Sequence, residues 1–115
     1  MALLRWAAAA AVLATGLRAA SLQQITTDFG PNPRGVGFYV YVPETLVAAP
    51  PVVVMGHWCQ GSAAAAFAGT QWASLADRHG FVVIYPDSPN TAEGKCWDLS
   101  SAAGLRHDGG GDSLG

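Results

Sequence analysis

Two short runs in this sequence carry residue types that could do covalent chemistry. The first is His57-Trp58-Cys59-Gln60-Gly61-Ser62, lying between a valine run and an alanine run. A loop in that place can hold backbone N–H groups toward a developing negative charge, which acyl transfer through a tetrahedral oxyanion requires. The second is Gly111-Asp112-Ser113-Leu114-Gly115, which fits the Gly-x-Ser-x-Gly pattern of a serine nucleophile turn. Such a turn needs an apolar strand directly before it to raise the serine at the top of a sheet. Here Arg106, His107, Asp108 and three glycines come first, so Ser113 is expected to be a decoy. Three histidines could move protons. His57 reads better as a structural hydrogen-bonding residue than as a general base, and His79 as an exposed helix-end residue. His107 beside Asp108 could orient a proton carrier, although a solvated loop pair is the plainer reading. No metal site is expected.

The elements that would position the first loop are legible in the chain. Val52 to Met55 is apolar without alternation, the pattern of a strand buried on both faces of a parallel sheet. Ala63 to Ala68 predicts a short helix capped by Ser62. Thr70 predicts the cap of a second helix over Gln71 to His79, with Trp72, Leu75 and Ala76 on one face and Gly80 as its stop. Phe81 to Tyr85 predicts a second buried strand, ended by Pro86. Strand, helix and strand in that order make a βαβ unit with parallel strands. Upstream, Ser21 to Thr27 and Phe38 to Val42 predict a pair of strands joined through the Gly- and Pro-rich stretch 28–37. Downstream, 87–111 reads as loop, and Asp112 as the cap of a further helix. The fold class expected is α/β.

Half of the 115 residues are hydrophobic, which predicts a folded core. The formal net charge is -2, with no cluster of Lys or Arg, so the footprint for nucleic acid or an anionic membrane is absent. Residues 1–20 read as a secretory signal peptide: Arg5, the apolar run Trp6 to Ala14, and the small residues Ala19 and Ala20. The run is shorter than the roughly 20 residues of a membrane span. Removing the leader takes away Arg5 and Arg18 and leaves four basic against eight acidic residues. A secreted location makes a Cys59–Cys96 disulfide the expectation, with two buried thiols as the plain alternative. A bridge over that span would stabilise the fold by roughly 4 kcal/mol.

Ser21-Leu-Gln-Gln-Ile25, Phe38-Tyr-Val-Tyr-Val-Pro43, His57-Trp-Cys-Gln-Gly-Ser62, Trp72-Ala-Ser-Leu-Ala-Asp-Arg-His-Gly80 with Phe81-Val-Val-Ile-Tyr-Pro86, and Cys96-Trp97 occur in that order. Together they resemble the fungal acetylxylan and feruloyl esterases and the related polyhydroxybutyrate depolymerase-like esterases. The resemblance implies an incomplete α/β-hydrolase: an N-terminal hairpin plus one βαβ unit of a mainly parallel sheet. It implies a secreted serine esterase that removes acetyl or feruloyl groups from plant cell-wall xylan, or acts on a small ester, using Ser, Asp and His without a cofactor. By position, the backbone N–H of Cys59, with Gln60 as the neighbouring candidate, would form half of an oxyanion hole, anchored by Cys59–Cys96. The bland counterpart is a tight turn stapled for stability alone.

In such hydrolases the triad follows the second βα unit. Residues 21–115 are therefore expected to be the N-terminal part of a truncated domain, ending before the nucleophile and inactive by itself. Two rivals stand beside this. One is a small secreted binding protein with one disulfide and no catalysis; the other is a compact hydrolase using Ser113.

Overall fold

The computed structural model describes residues 20–91 and 94–114. The expected leader thus lies outside the described residues, apart from Ala20. Among the described residues the elements are strands β1 (Gln23–Gln24), β2 (Gly37–Tyr41), β3 (Val52–Val54) and β4 (Val82–Asp87), helices α1 (Ala63–Gly69) and α2 (Trp72–His79), and a 3-10 turn at Asp112–Leu114. The strands form one sheet in the order β1-β2-β4-β3.

The N-terminal pair is an antiparallel hairpin, with Gln23 opposite Val40 and Gln24 opposite Tyr39. Its connection is braced by one side chain. Asn32 Oδ1 accepts from the Val36 N–H and Asn32 Nδ2 donates to the Val36 carbonyl, each at 2.8 Å. The first strand is only two residues long, far shorter than the expected Ser21 to Thr27.

β3 and β4 are parallel, Val53 beside Val83, and the chain crosses between them through both helices. That is the expected βαβ unit. The expectation of a mainly parallel sheet fails, because β2 also lies antiparallel to β4, with Tyr41 opposite Val83 and Tyr39 opposite Tyr85. The sheet is mixed, with β4 between the hairpin and β3. β3 is therefore a sheet edge among the described residues, and its valines are not buried on both faces: Val52 is 57% and Val54 64% exposed.

The register places Tyr39, Tyr41, Val53, Val83 and Tyr85 on one face, and there the core forms. Val83 and Tyr85 are fully buried, as are Ala63 and Ala66 of α1 and Ala76 of α2. Burying a valine side chain contributes about 1.5–3 kcal/mol. Alanine at the helix contacts lets the helix backbones approach the sheet closely, and Phe67 fills the space left. Its ring lies 5.5 Å from Tyr41 and meets Tyr85 edge-on at 5.8 Å, a favourable quadrupolar arrangement. The opposite sheet face, with Val52 and Val54, stays open.

Helix ends follow the sequence in part. Ser62 caps α1 as expected, its Oγ accepting from the Ala65 N–H at 3.0 Å. Thr70 does not cap α2. Its hydroxyl donates to the Ala66 carbonyl at 2.7 Å and closes the end of α1, and α2 starts after Gln71 without a side-chain cap. Gly80 stops α2 in the left-handed region at φ 70, and a Cβ there would stand 2.7 Å from Val47 N. Pro86 does not end its strand either. Met55 donates to the Ile84 carbonyl, so even-numbered residues of β4 turn their backbone groups toward β3 and odd-numbered ones toward β2. The N–H that Pro86 lacks would point past the end of β3, so no bond to β2 is lost.

Candidate functional site

Beyond β3 the chain enters a turn that two regions hold in place. The Gly61 N–H donates to the Trp58 carbonyl at 2.9 Å, and Gln60 has φ 65. Cys59 keeps a negative φ, so this is the pattern of a type II turn with a non-glycine residue at its third position. A left-handed residue with a side chain costs on the order of 1 kcal/mol, and the surroundings must hold it there.

They do so from the segment after β4. Cys59 and Cys96 are disulfide-bonded, Cα to Cα 4.2 Å, which settles the choice between a bridge and two thiols. The Gln60 N–H donates to the Gly94 carbonyl at 2.7 Å. The indole N–H of Trp97 donates to the His57 carbonyl at 2.8 Å, and its ring lies 5.0 Å from the imidazole. The Ser88 N–H donates to His57 Nε2 at 3.0 Å.

That last bond fixes the state of His57. Nε2 accepts, so the imidazole is neutral with its proton on Nδ1, and Nδ1 donates to the Trp58 carbonyl at 2.7 Å. The side chain is buried, and both ring nitrogens are engaged. His57 is a structural residue in this arrangement, in keeping with its place in the sequence. Asp87 Oδ1 lies 3.4 Å from Nε2 and 3.1 Å from Lys95 Nζ. The lysine contact is ionic and lacks hydrogen-bond alignment, since Oδ1 has no hydrogen-bond partner.

The two expected donors separate here. The Cys59 N–H makes no hydrogen bond to a described residue. The Gln60 N–H, by contrast, is engaged by the Gly94 carbonyl in the segment after β4. Gly61 is bare for a steric reason. A Cβ there would stand 2.8 Å from the Trp58 carbonyl oxygen and 3.2 Å from His57 Nδ1. Trp58 itself is half exposed.

The other candidates lie apart. His79 ends α2 exposed, and His107 and Asp108 are exposed in the turns of 102–110 without a bond to each other. Ser113 sits in the 3-10 turn, and 100–111 before it is turns and bends, so no strand of the kind a nucleophile turn needs precedes it. Asp112 is no helix cap; its Oδ2 accepts from the Asp98 N–H at 2.7 Å, and Oδ1 faces Arg34 Nε at 3.7 Å. The Ser101 hydroxyl, together with the N–H groups of Ser101 and Ser100, holds the Asp98 carboxyl below the usual carboxylate range.

A cavity of about 420 Å³ is lined by Ala20, Tyr41, Glu44, Thr45 and Asp77, none of them from the turn. In it the Tyr41 hydroxyl donates to Asp77 Oδ1 at 2.7 Å, and burial together with that carboxylate pushes the phenol up to about 12. Among the described residues no three His, Cys, Asp or Glu side chains are grouped to hold a metal ion.

Sequence reasoning misses Ser88, Gly94 and Lys95, which lie in a stretch that reads only as loop. Trp97 is visible in the sequence as an aromatic beside the second cysteine, but not as a ligand of the His57 carbonyl.

The profile of the family described as "Esterase PHB depolymerase" matches residues 36–114. The "Probable acetylxylan esterase A" of Aspergillus clavatus is 54% identical over 96 residues, which is 84% of this chain and 30% of that protein. The "Acetylxylan esterase A" of Aspergillus oryzae is 53% identical over the same shares. Among solved structures, "Acetyl xylan esterase from Aspergillus awamori" matches with a TM-score of 0.74 at 49% identity, over 80% of this chain and 32% of that one. The chain thus spans about 30% of the length of the curated relatives it matches.

Proposed function

This chain belongs to the esterase PHB depolymerase family, and from that membership we propose that it forms the oxyanion-binding part of a secreted serine carboxylic-ester hydrolase of the α/β-hydrolase fold, acting on acetylated xylan. The observation that carries the reading is the turn at Trp58 to Gly61. Its Cys59 N–H makes no hydrogen bond to a described residue, while the groups around it are bonded either within the turn and to His57 or to the segment after β4. A fixed, unpaired N–H is what a tetrahedral acyl intermediate requires, and losing one such donor typically costs about 10²–10³ in kcat.

The nucleophile, its Asp and its His are read as belonging to the part of the relatives' length that this chain does not span. With none of the three in place here, the oxyanion donor alone offers no covalent route. The chain by itself is therefore proposed to be inert. Acetyl is favoured over feruloyl because the relatives' names specify acetylxylan. Secretion rests on the leader-like residues 1–20; among the described residues no helix is long and apolar enough to cross a membrane.

The test is a chimera in which residues 20–115 replace the matching segment of the Aspergillus oryzae acetylxylan esterase A. It is expected to hydrolyse an aryl acetate and acetylated xylan within about tenfold of the parent, consistent with one modest perturbation. The Cys59 amide resonance is expected to move downfield when a fluorophosphonate occupies the nucleophile. A folded chimera without acetyl-ester hydrolysis, or one whose Cys59 amide does not respond, would overturn the reading. The 115-residue chain alone is expected to leave the fluorophosphonate unreacted; labelling at Ser113 would favour the compact hydrolase instead.

A further inference from the structure

We infer that His57 is a positioning residue that aims the Cys59 N–H through the intervening peptide plane. The inference rests on the reading of that N–H as an oxyanion donor and adds the group that sets its direction.

The Trp58 carbonyl and the Cys59 N–H belong to one peptide unit. No described peptide bond is cis, so the two groups point in opposite directions from that plane. Whatever fixes the carbonyl fixes the N–H. Two donors hold the carbonyl: the Gly61 N–H at 2.9 Å and His57 Nδ1 at 2.7 Å. The first closes the turn but leaves the peptide free to tilt about it. The second comes from a side chain outside the turn and removes that freedom. With the carbonyl held on the buried side against an imidazole only 3% exposed, the Cys59 N–H is directed outward.

The imidazole is itself oriented. Ser88 N–H to Nε2 selects the tautomer that carries a proton on Nδ1, the one able to serve the Trp58 carbonyl. In the other tautomer Nδ1 would face that carbonyl lone pair to lone pair. Trp97 fixes the backbone of His57 from the other side, its indole N–H on the carbonyl and its ring against the imidazole. Gly61 leaves the room, since a Cβ there would stand 3.1 Å from His57 Cβ. The relay thus runs from Ser88 through the imidazole and the Trp58 peptide to the Cys59 N–H. It reaches the candidate donor without touching substrate.

Two substitutions divide the imidazole's functions. His57→Asn keeps a donor near the place of Nδ1 and drops the acceptor for Ser88. His57→Gln reaches toward the place of Nε2 and drops the donor to Trp58. In the 15N-histidine-labelled full chain, the ring-nitrogen shifts of His57 are expected to show the Nδ1–H neutral tautomer. In the chimera, His57→Gln is expected to lower kcat by about tenfold or more with KM nearly unchanged, and His57→Asn to restore most of it, the pattern of a lost transition-state donor. An Nε2–H tautomer in the wild-type chain, or equal kcat values for the two variants, would overturn the inference. The tautomer is read on the unsubstituted chain, so the test survives a variant that fails to fold. If the tautomer and the Asn/Gln difference hold but the Cys59 amide ignores phosphonylation, the oxyanion reading fails and the positioning of the peptide stands.

Discussion

The C-terminal end of β3 and its outer edge are treated very differently. At its C-terminal end the chain runs into a turn tied to the segment after β4 by a disulfide, two backbone-to-imidazole or indole bonds and one backbone pair. Along its length the strand is bonded on one side only, and two of its three valines lie more than half exposed. The turn is completed by neighbours within 40 residues of itself, whereas the outer edge of the strand has no partner among the described residues.

Disrupting the tied end should have the largest effect. Replacing Cys59 and Cys96 by serine removes a cross-link over a sequence separation of 37. It is expected to cost about 4 kcal/mol of unfolding free energy by the loop-entropy estimate. Denaturant titration of the double variant against the oxidised chain measures it. A loss below about 1 kcal/mol would mean that the hydrogen bonds hold the turn without the bridge.

Gly61→Ala comes next. Its methyl would press on the Trp58 carbonyl oxygen and the His57 ring, and overpacking of this kind costs about 1–3 kcal/mol. Faster exchange of the Gln60 and Ser88 amides in the variant would show the damage confined to the turn.

At the open edge the expected change is in association. Val52→Lys with Val54→Lys places charge on an exposed edge, a common guard against strand pairing between chains. Thermal stability should move by less than about 1 kcal/mol, since neither side chain is in the core. Sedimentation should show wild-type chain growing with concentration and the variant remaining monomeric. A wild-type chain that stays monomeric would erase the contrast between the tied end and the open edge.

The smallest effect concerns Tyr41, away from both. Burial first, and then the bond to Asp77, raise its phenol from 10 to about 12, so the fold favours the neutral form. The stabilisation is complete below pH 10 and is lost as pH rises through 12. Burial raises the Tyr85 phenol as well, so phenolate absorbance should show two of the three tyrosines ionising late, and Tyr41→Phe should remove one of those two late steps.

Much of the fold is legible in the chain because its signals are local. The valine and alanine runs, Ser62 before the alanines and Gly80 after His79 each act within a few residues, and each produces its element. The failures share a cause. Thr70 reads as a cap for α2, but its hydroxyl finds a carbonyl of α1 closer. Pro86 reads as a stop, yet a proline ends a strand only when its missing N–H faces a partner, and pairing order is not written locally. The unalternating valines predict burial on both faces, a property of the sheet's neighbours and not of the strand. At the site, Cys59 and Gln60 can be named as candidate donors from the family resemblance. The bond from Gln60 to Gly94 cannot, because it depends on where Gly94 lies after the chain has crossed two helices.

That crossing gives the Cys59–Cys96 bridge a further use. The two sulfurs are separated in sequence by both helices and β4, and in the fold they meet where β4 lies beside β3. Oxidation therefore records assembly of the crossover as a covalent mark. Rapid alkylation of thiols during refolding would date that event molecule by molecule, with no optical probe introduced anywhere in the chain.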